Sequence, residues 1–207
     1  MKKQLFSIVF ALCGALFLSA QVTYGVKAGI NFATVTGDFT EEAESRTGLH
    51  VGGFVEVPIS ERFSFQPELL YSMQGAKASV SETFEGIMLS QDVTRKQDYL
   101  NIPLMVKYYL IENLSIEAGP QVGFLLSAKG EVESSFNGES ITEDIDFKDE
   151  ASSIDFGFNL GAAYQLDMGL FFGARYNFGL SNINDNEDSG ELSQQNAVFQ
   201  LSVGYIF

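Results

Sequence analysis

Chemistry in this chain would rest on Lys27, Glu56, Glu68, Lys107, Glu117, Asp155 and Arg175. Each stands on the polar side of a segment that alternates polar and apolar residues. A buried charge must be paired or it costs several kcal/mol. The spacing therefore predicts an ion-pair network of Lys27, Lys107 and Arg175 with Glu56, Glu68 and Glu117. Such a network serves either as a proton or ion path or as structural cross-bracing. Cross-bracing is the reading adopted, because a narrow interior enclosed by such segments has room for side chains and little else. His50 is the single histidine. It falls on the same polar series near the loop end of its strand, with Asp155 at a similar height. Hydrolytic sites need nucleophile, imidazole and acid together at an accessible rim. A lone polar histidine is read as a satisfied interior residue, and the chain is not expected to be an enzyme.

Outside those segments the acids crowd together: Asp38 to Glu44, Glu131 to Glu150 and Asp185 to Glu191. The run Asn184-Asp-Asn-Glu-Asp188 has carboxylates suited to Ca²⁺ but no calcium-loop register. These stretches are read as a solvated, repulsive face, with weak divalent bridging to anionic groups as the intermediate reading. No glycine-rich phosphate loop, zinc spacing or nucleotide fingerprint is present, so no cofactor and no metal is expected.

The elements that must position these residues are strands. The clearest is Ala197–Phe207, where Ala197, Phe199, Leu201, Val203, Tyr205 and Phe207 alternate with smaller or more polar residues. The same period of two marks Val22–Thr34, Thr47–Val57, Phe63–Lys77, Asp98–Leu110, Leu114–Ala128, Ile154–Tyr164 and Gly169–Ser181. Each is about eleven to fifteen residues, enough to cross a bilayer at a tilt. Connections alternate between long polar loops, such as 78–97 and 129–153, and tight turns, such as Pro58–Arg62, Ile111–Asn113 and Gln165–Met168. All long loops then lie at one end. The fold expected is all-β: an eight-stranded antiparallel up-and-down transmembrane β-barrel, preceded by a cleavable signal peptide.

Two patterns set a membrane barrel apart from a soluble lipocalin-like one. The polar series is rich in Gly, Ser and Ala, which suits a crowded interior better than a wet surface. The apolar series carries two aromatic rings. Tyr24, Phe63, Phe65, Tyr108, Tyr164, Tyr205 and Phe207 lie near the turns; Phe32, Tyr71, Phe156, Phe178 and Phe199 lie near the loops. Pro67, Pro103 and Pro120 fall inside strands of a sheet with no free edge, so bulges or broken pairing are expected there.

At 207 residues, one domain is the natural expectation. Lys2 and Lys3 precede an apolar run and Ser19-Ala20, which reads as a leader over 1–20 with the barrel domain over 21–207. Cys13 is the only cysteine and would leave with it. Loss of Lys2 and Lys3 would take the formal charge from −15 to −17, which argues against nucleic acid as a partner. Mean hydropathy is only +0.07, as expected where every second residue faces a lumen.

Several stretches resemble the PorT-like outer membrane β-barrel domain family of Gram-negative bacteria. They are Tyr24-Gly-Val-Lys-Ala-Gly-Ile-Asn-Phe32, Gln66-Pro-Glu-Leu-Leu-Tyr-Ser72, Tyr99-Leu-Asn-Ile-Pro-Leu-Met-Val-Lys-Tyr108, Gly119-Pro-Gln-Val-Gly-Phe-Leu-Leu126, Asp155-Phe-Gly157, Ala174-Arg-Tyr-Asn-Phe-Gly-Leu-Ser-Asn-Ile183 and Val203-Gly-Tyr-Ile-Phe207. The resemblance implies an integral protein of the cell outer membrane, in contact with lipid and lipopolysaccharide. It implies no catalytic residue. Val203, Tyr205 and Phe207 are similar to the C-terminal signal read by the barrel assembly machinery. The family's namesake is linked to type IX secretion, so secretion-complex proteins are candidate partners. The function expected is a barrel with a side-chain-filled lumen, acting as an anchor or surface-interaction protein through long acidic loops. The alternatives are an accessory or component of type IX secretion and a narrow channel.

Overall fold

The computed structural model describes residues 22–38, 40, 43–84, 87–136, 139–184 and 193–207; within these, 80–84, 87–90, 135–136 and 139–140 are described by their backbone alone. The leader expected over 1–20 lies outside the described residues, as do Glu41, Glu42 and the acids from Asp185 to Glu191.

Alternation is what builds the sheet. A strand whose odd and even residues differ in polarity can serve two environments at once. The strands are β1 (Thr23–Gly37), β2 (Glu44–Pro58), β3 (Phe63–Phe84), β4 (Ile87–Ile111), β5 (Leu114–Phe136), β6 (Glu139–Asp146), β7 (Ile154–Gln165), β8 (Leu170–Gly179) and β9 (Gln194–Ile206), with a single 3₁₀ turn at Lys148–Glu150. All pairings are antiparallel, in the order β4-β3-β2-β1-β9-β8-β7-β5-β6, and β4 also pairs with β5. That last pairing closes a ring of eight strands and leaves β6 outside it, paired to β5 alone. The closing seam of first and last strands runs from Gly25↔Ile206 to Gly37↔Gln194.

Polarity is turned inside out relative to a soluble domain. Val26, Ile30, Leu49, Val51, Leu160, Phe172 and Leu201 are exposed on the outer wall, while Lys27, Glu68, Asn159 and Arg175 are buried within. Aromatic contacts mark both ends of the apolar band. Phe63 meets Tyr108 at 4.9 Å and Tyr205 meets Phe207 at 5.4 Å near the turns. Phe32 meets Phe199 at 6.4 Å and Tyr176 meets Phe178 at 4.5 Å near the opposite rim. Tyr71 there donates its hydroxyl to Asp98 at 2.8 Å, a ring with one apolar face and one wet tip.

Three expectations need correction. The polar stretch 78–97 is not a loop, because β3 and β4 stay paired from Ala78↔Val93 to Phe84↔Ile87. The stretch 129–153 likewise holds the end of β5 and all of β6, so Glu131, Glu133, Glu143, Asp144 and Asp146 stand on strands. The last strand begins at Gln194 rather than Ala197. In each case the chain continues the ladder beyond the apolar band. On β6 both faces are then wet, while Asn196 at the start of the last strand is buried but polar, and in neither place does the period of two show in hydropathy. At the prolines the ladder lapses without slipping. β3–β4 pairing stops at Pro67↔Leu104 and resumes at Leu70↔Asn101; β4–β5 pairing stops at Pro103↔Gln121 and resumes at Val106↔Ala118. Register shifts occur elsewhere, between Ser45 and His50 and at Asp98/Tyr99 and Tyr109/Ile111.

Candidate functional site: the barrel lumen

Large inward side chains are faced across the ladder by glycines. Phe54 is opposite Gly25, His50 opposite Gly29, Lys27 opposite Gly52 and Gly204, and Arg175 opposite Gly161. A Cβ at Gly25 would fall 2.2 Å from Phe54 Cζ, and one at Gly204 would fall 2.4 Å from the Phe171 ring. The glycine-rich polar series is the space that the filling occupies.

That filling is layered. Nearest the turns, Lys107 Nζ reaches Glu56 Oε2 at 2.9 Å and the Tyr109 hydroxyl donates to Glu56 Oε1. Phe54 and Phe171 close edge to face beside them, with centroids 5.6 Å apart. Above lies a second ionic group. Arg175 donates Nη1 to Glu68 Oε2 at 2.9 Å and Nη2 to Glu68 Oε1 at 2.8 Å, a two-pronged pairing. Its Nε donates to Glu117 Oε1 at 2.8 Å. Lys27 Nζ holds Glu68 Oε2 at 2.6 Å, and Gln66 Nε2 donates to Glu68 Oε1 at 2.7 Å. The six residues thus form two groups, Arg175–Glu68–Glu117–Lys27 and Lys107–Glu56, and each balances its formal charge.

The next layer is neutral. Asn31 Nδ2 donates to the Met73 carbonyl at 2.9 Å and to Ser72 Oγ at 3.0 Å, so its oxygen faces His50 Nδ1 at 2.7 Å. Nδ1 therefore carries the ring proton, and Nε2 accepts from the Ser202 hydroxyl at 2.8 Å. Hydroxyl, imidazole and amide stand in the order that activates nucleophiles in hydrolases. Here His50 is 1 % exposed, and the Asn31 oxygen also accepts from Gln200 at 2.9 Å. Asp155 is held by Ser181 at 2.8 Å and Asn196 at 2.9 Å, on another part of the wall. At the loop end Tyr99, Leu125, Ala128 and Ala151 pack with Phe147 over the lumen. Arg95 lies 4.6 Å above the Phe147 ring.

Sequence reasoning missed Tyr109, Gln66, Asn31 and Ser202. All four have inward parity, which was the available signal; their polarity without charge hid their part in the network. A cavity of about 20 Å³ lies between Lys27, Phe54, Lys107 and Arg175, enough for a single water. Below it the barrel opens in a mouth of about 900 Å³ bordered by Glu56, Glu61, Arg62 and Glu112. Val203, Tyr205 and Phe207 are exposed on the outer wall, and the Phe207 amide donates to the Tyr24 carbonyl at 2.9 Å across the seam.

Residues 18–185 match the family model described as the outer membrane protein beta-barrel domain. The chain belongs to this family. The apolar band is accordingly the part of an outer membrane protein that meets lipid, crossed by strands. No curated protein matches the chain. Among solved structures it is similar to Ail, the attachment invasion locus protein of Yersinia pestis, at 12% identity and a TM-score of 0.48 over 89% of this chain and 98% of that one. It is also similar to Neisserial surface protein A at 13% identity and a TM-score of 0.46 over 88% of this chain and 95% of that one.

Proposed function

We propose that the protein is a surface anchor: a barrel with a braced, filled lumen that holds a raised acidic sheet outside the cell for contact with partners. The observation that carries this reading is the Arg175–Glu68–Glu117–Lys27 group, which occupies the lumen at mid-height and leaves about 20 Å³ beside it. Work of the molecule is then done at its ends. In outer-membrane barrels the tight turns are periplasmic and the tall connections extracellular. On that rule the upper parts of β3, β4 and β5, with β6, face the outside of the cell in this reading. Their carboxylates suit divalent bridging to the phosphates of neighbouring lipopolysaccharide.

The test is to shorten the β3–β4 and β5–β6 excursions to tight turns at the rim. The trimmed barrel should fold, shown by heat-modifiable migration on a gel, yet fail to complement a deletion strain. Full complementation by the trimmed barrel would overturn the reading. A second reading draws support from the open mouth at the turn end, where Glu61, Arg62 and Glu112 line a cleft of about 900 Å³. It makes the protein a PorT-like accessory of type IX secretion, bound through its periplasmic turns. Co-purification of secretion components after mild detergent extraction would favour it, as would their loss in a variant altered only at Glu61, Arg62 and Glu112.

A further inference from the structure

The raised sheet ends in β6, and among the described residues no strand pairs with its far side. The Phe147 amide donates to the Ala128 carbonyl at 3.2 Å, directly below the ladder that pairs Asp146 with Lys129. That bond sets the alternation along β6. Ile145, Glu143 and Ile141 bond back to β5. Thr142, Asp144 and Asp146 turn their amide and carbonyl groups toward the open side.

Open edges are usually blunted by charged side chains, lysine above all, by proline or by a bulge. β6 has no lysine, proline or bulge, only acids, which repel a like-charged strand and admit a basic one, and its register with β5 is unbroken from Lys129↔Asp146 to Phe136↔Glu139. Its charged residues are all acids: Glu139, Glu143, Asp144 and Asp146. One face carries Ile141 at 75 % and Ile145 at 48 % exposure on either side of Glu143, beside Val132 and Val93 of the neighbouring strands. The other face presents Asp144 and Asp146.

We propose that β6 takes up an extended segment of another protein as a further strand, one in which apolar residues alternate with Lys or Arg. Main-chain bonds to Thr142 and Asp144 supply the attachment. The apolar residues lie along Ile141 and Ile145, and the cations oppose Asp144 and Asp146. Charge selects this occupant over a second copy of the chain, because pairing β6 with itself sets acid against acid. The proposal rests on the surface-anchor reading and specifies its partner.

The probe is an alternating lysine–valine peptide as long as β6, 8 residues, titrated by fluorescence anisotropy against the full-length barrel folded in detergent. It should bind, and methylating its backbone amides should weaken binding by about tenfold or more. Thr142→Pro removes an outward amide without touching the β5 ladder and should weaken binding to a similar degree, whereas Thr142→Ala should not. Should Thr142→Pro fail to fold, Asp144→Lys serves in its place and should shift preference to a glutamate–valine peptide. Equal binding of the methylated probe, or unchanged binding to the folded Thr142→Pro barrel, would overturn strand addition in favour of simple charge attraction. Dimerisation of the barrel abolished by Thr142→Pro would overturn it in favour of self-pairing. If the trimmed barrel fails to complement while Thr142→Pro complements fully, this inference falls and the anchor reading stands.

Discussion

Arg175 is shared by two carboxylates, and removing it strands one of them. Glu68 would keep Lys27 as its cation, and Glu117 would lose its only ion-pair partner among the described residues. Breaking a buried pair on one side costs about 3–5 kcal/mol. Arg175→Met should therefore lower the urea midpoint of the vesicle-refolded barrel clearly, and an unchanged midpoint would contradict a bracing role. Adding Glu117→Gln should recover part of the loss, because Glu68 keeps Lys27 and no uncompensated carboxylate then remains in that ionic group. Glycines give a second check. A Cβ at Gly161 would sit 2.7 Å from the Ala174 carbonyl and 3.1 Å from Glu117 Oε1, whereas at Gly53 the nearest atom is 3.5 Å away. Gly161→Val should destabilise the same unfolding transition by about 1–3 kcal/mol of overpacking, while Gly53→Ala should leave it unmoved. Parity along each strand made the ionic residues readable from the sequence. Their partners were not readable, because Arg175 and Glu68 are 107 residues apart and meet only through barrel closure. Height was not azimuth either: His50 and Asp155 belong to strands on different parts of the wall and bond to different neighbours.

Among the elements, β9 joins two tasks. Its inward residues Gln200 and Ser202 complete the His50 layer, and its outward residues Val203 and Tyr205, followed by Phe207, face lipid. If that outward triplet is the signal read by the assembly machinery, its loss should act on biogenesis rather than on the finished barrel. Phe207→Ser should reduce the heat-modifiable form in outer-membrane fractions while the urea midpoint of protein refolded in vitro stays near that of the wild type; an equal fall in both would make Phe207 an ordinary packing residue. The crossing strands were readable for a physical reason. Lipid on one side and packed side chains on the other impose opposite polarity on successive residues. Above the rim that contrast vanishes. From Ile141 to Asp146 every side chain of β6 is exposed, so pairing holds it as a strand, and composition alone marks the stretch as a loop. Prolines at 67, 103 and 120 were visible as a conflict, and the lapses in pairing around them keep register because the wall on either side is already fixed.

At the scale of the whole molecule, an eight-stranded ring is just wide enough to be filled by its own side chains, and filling decides between an anchor and a channel. A solute entering from the turn end meets the Phe54–Phe171 pair and the Lys107–Glu56 bridge, then the Arg175 fork, then the Asn31–His50–Ser202 layer. Beyond these stand the amides of Gln121, Asn159 and Asn177 and the cap of Tyr99, Leu125 and Phe147. Movement of one layer leaves the other groups in the lumen. Purified wild-type barrel should therefore insert into planar bilayers without stepwise conductance. Arg175→Ala should remain silent as well, although its stability falls, because the layers above and below the deleted side chain are intact. Steps in the wild type would require every layer to part together, and they would return the narrow-channel reading in place of the anchor. Steps in Arg175→Ala alone would show that the ionic group is the single barrier and that the neutral layers above it are permeable. The two results separate a lumen sealed along its length from one gated at mid-height, which the stability of Arg175 variants cannot do.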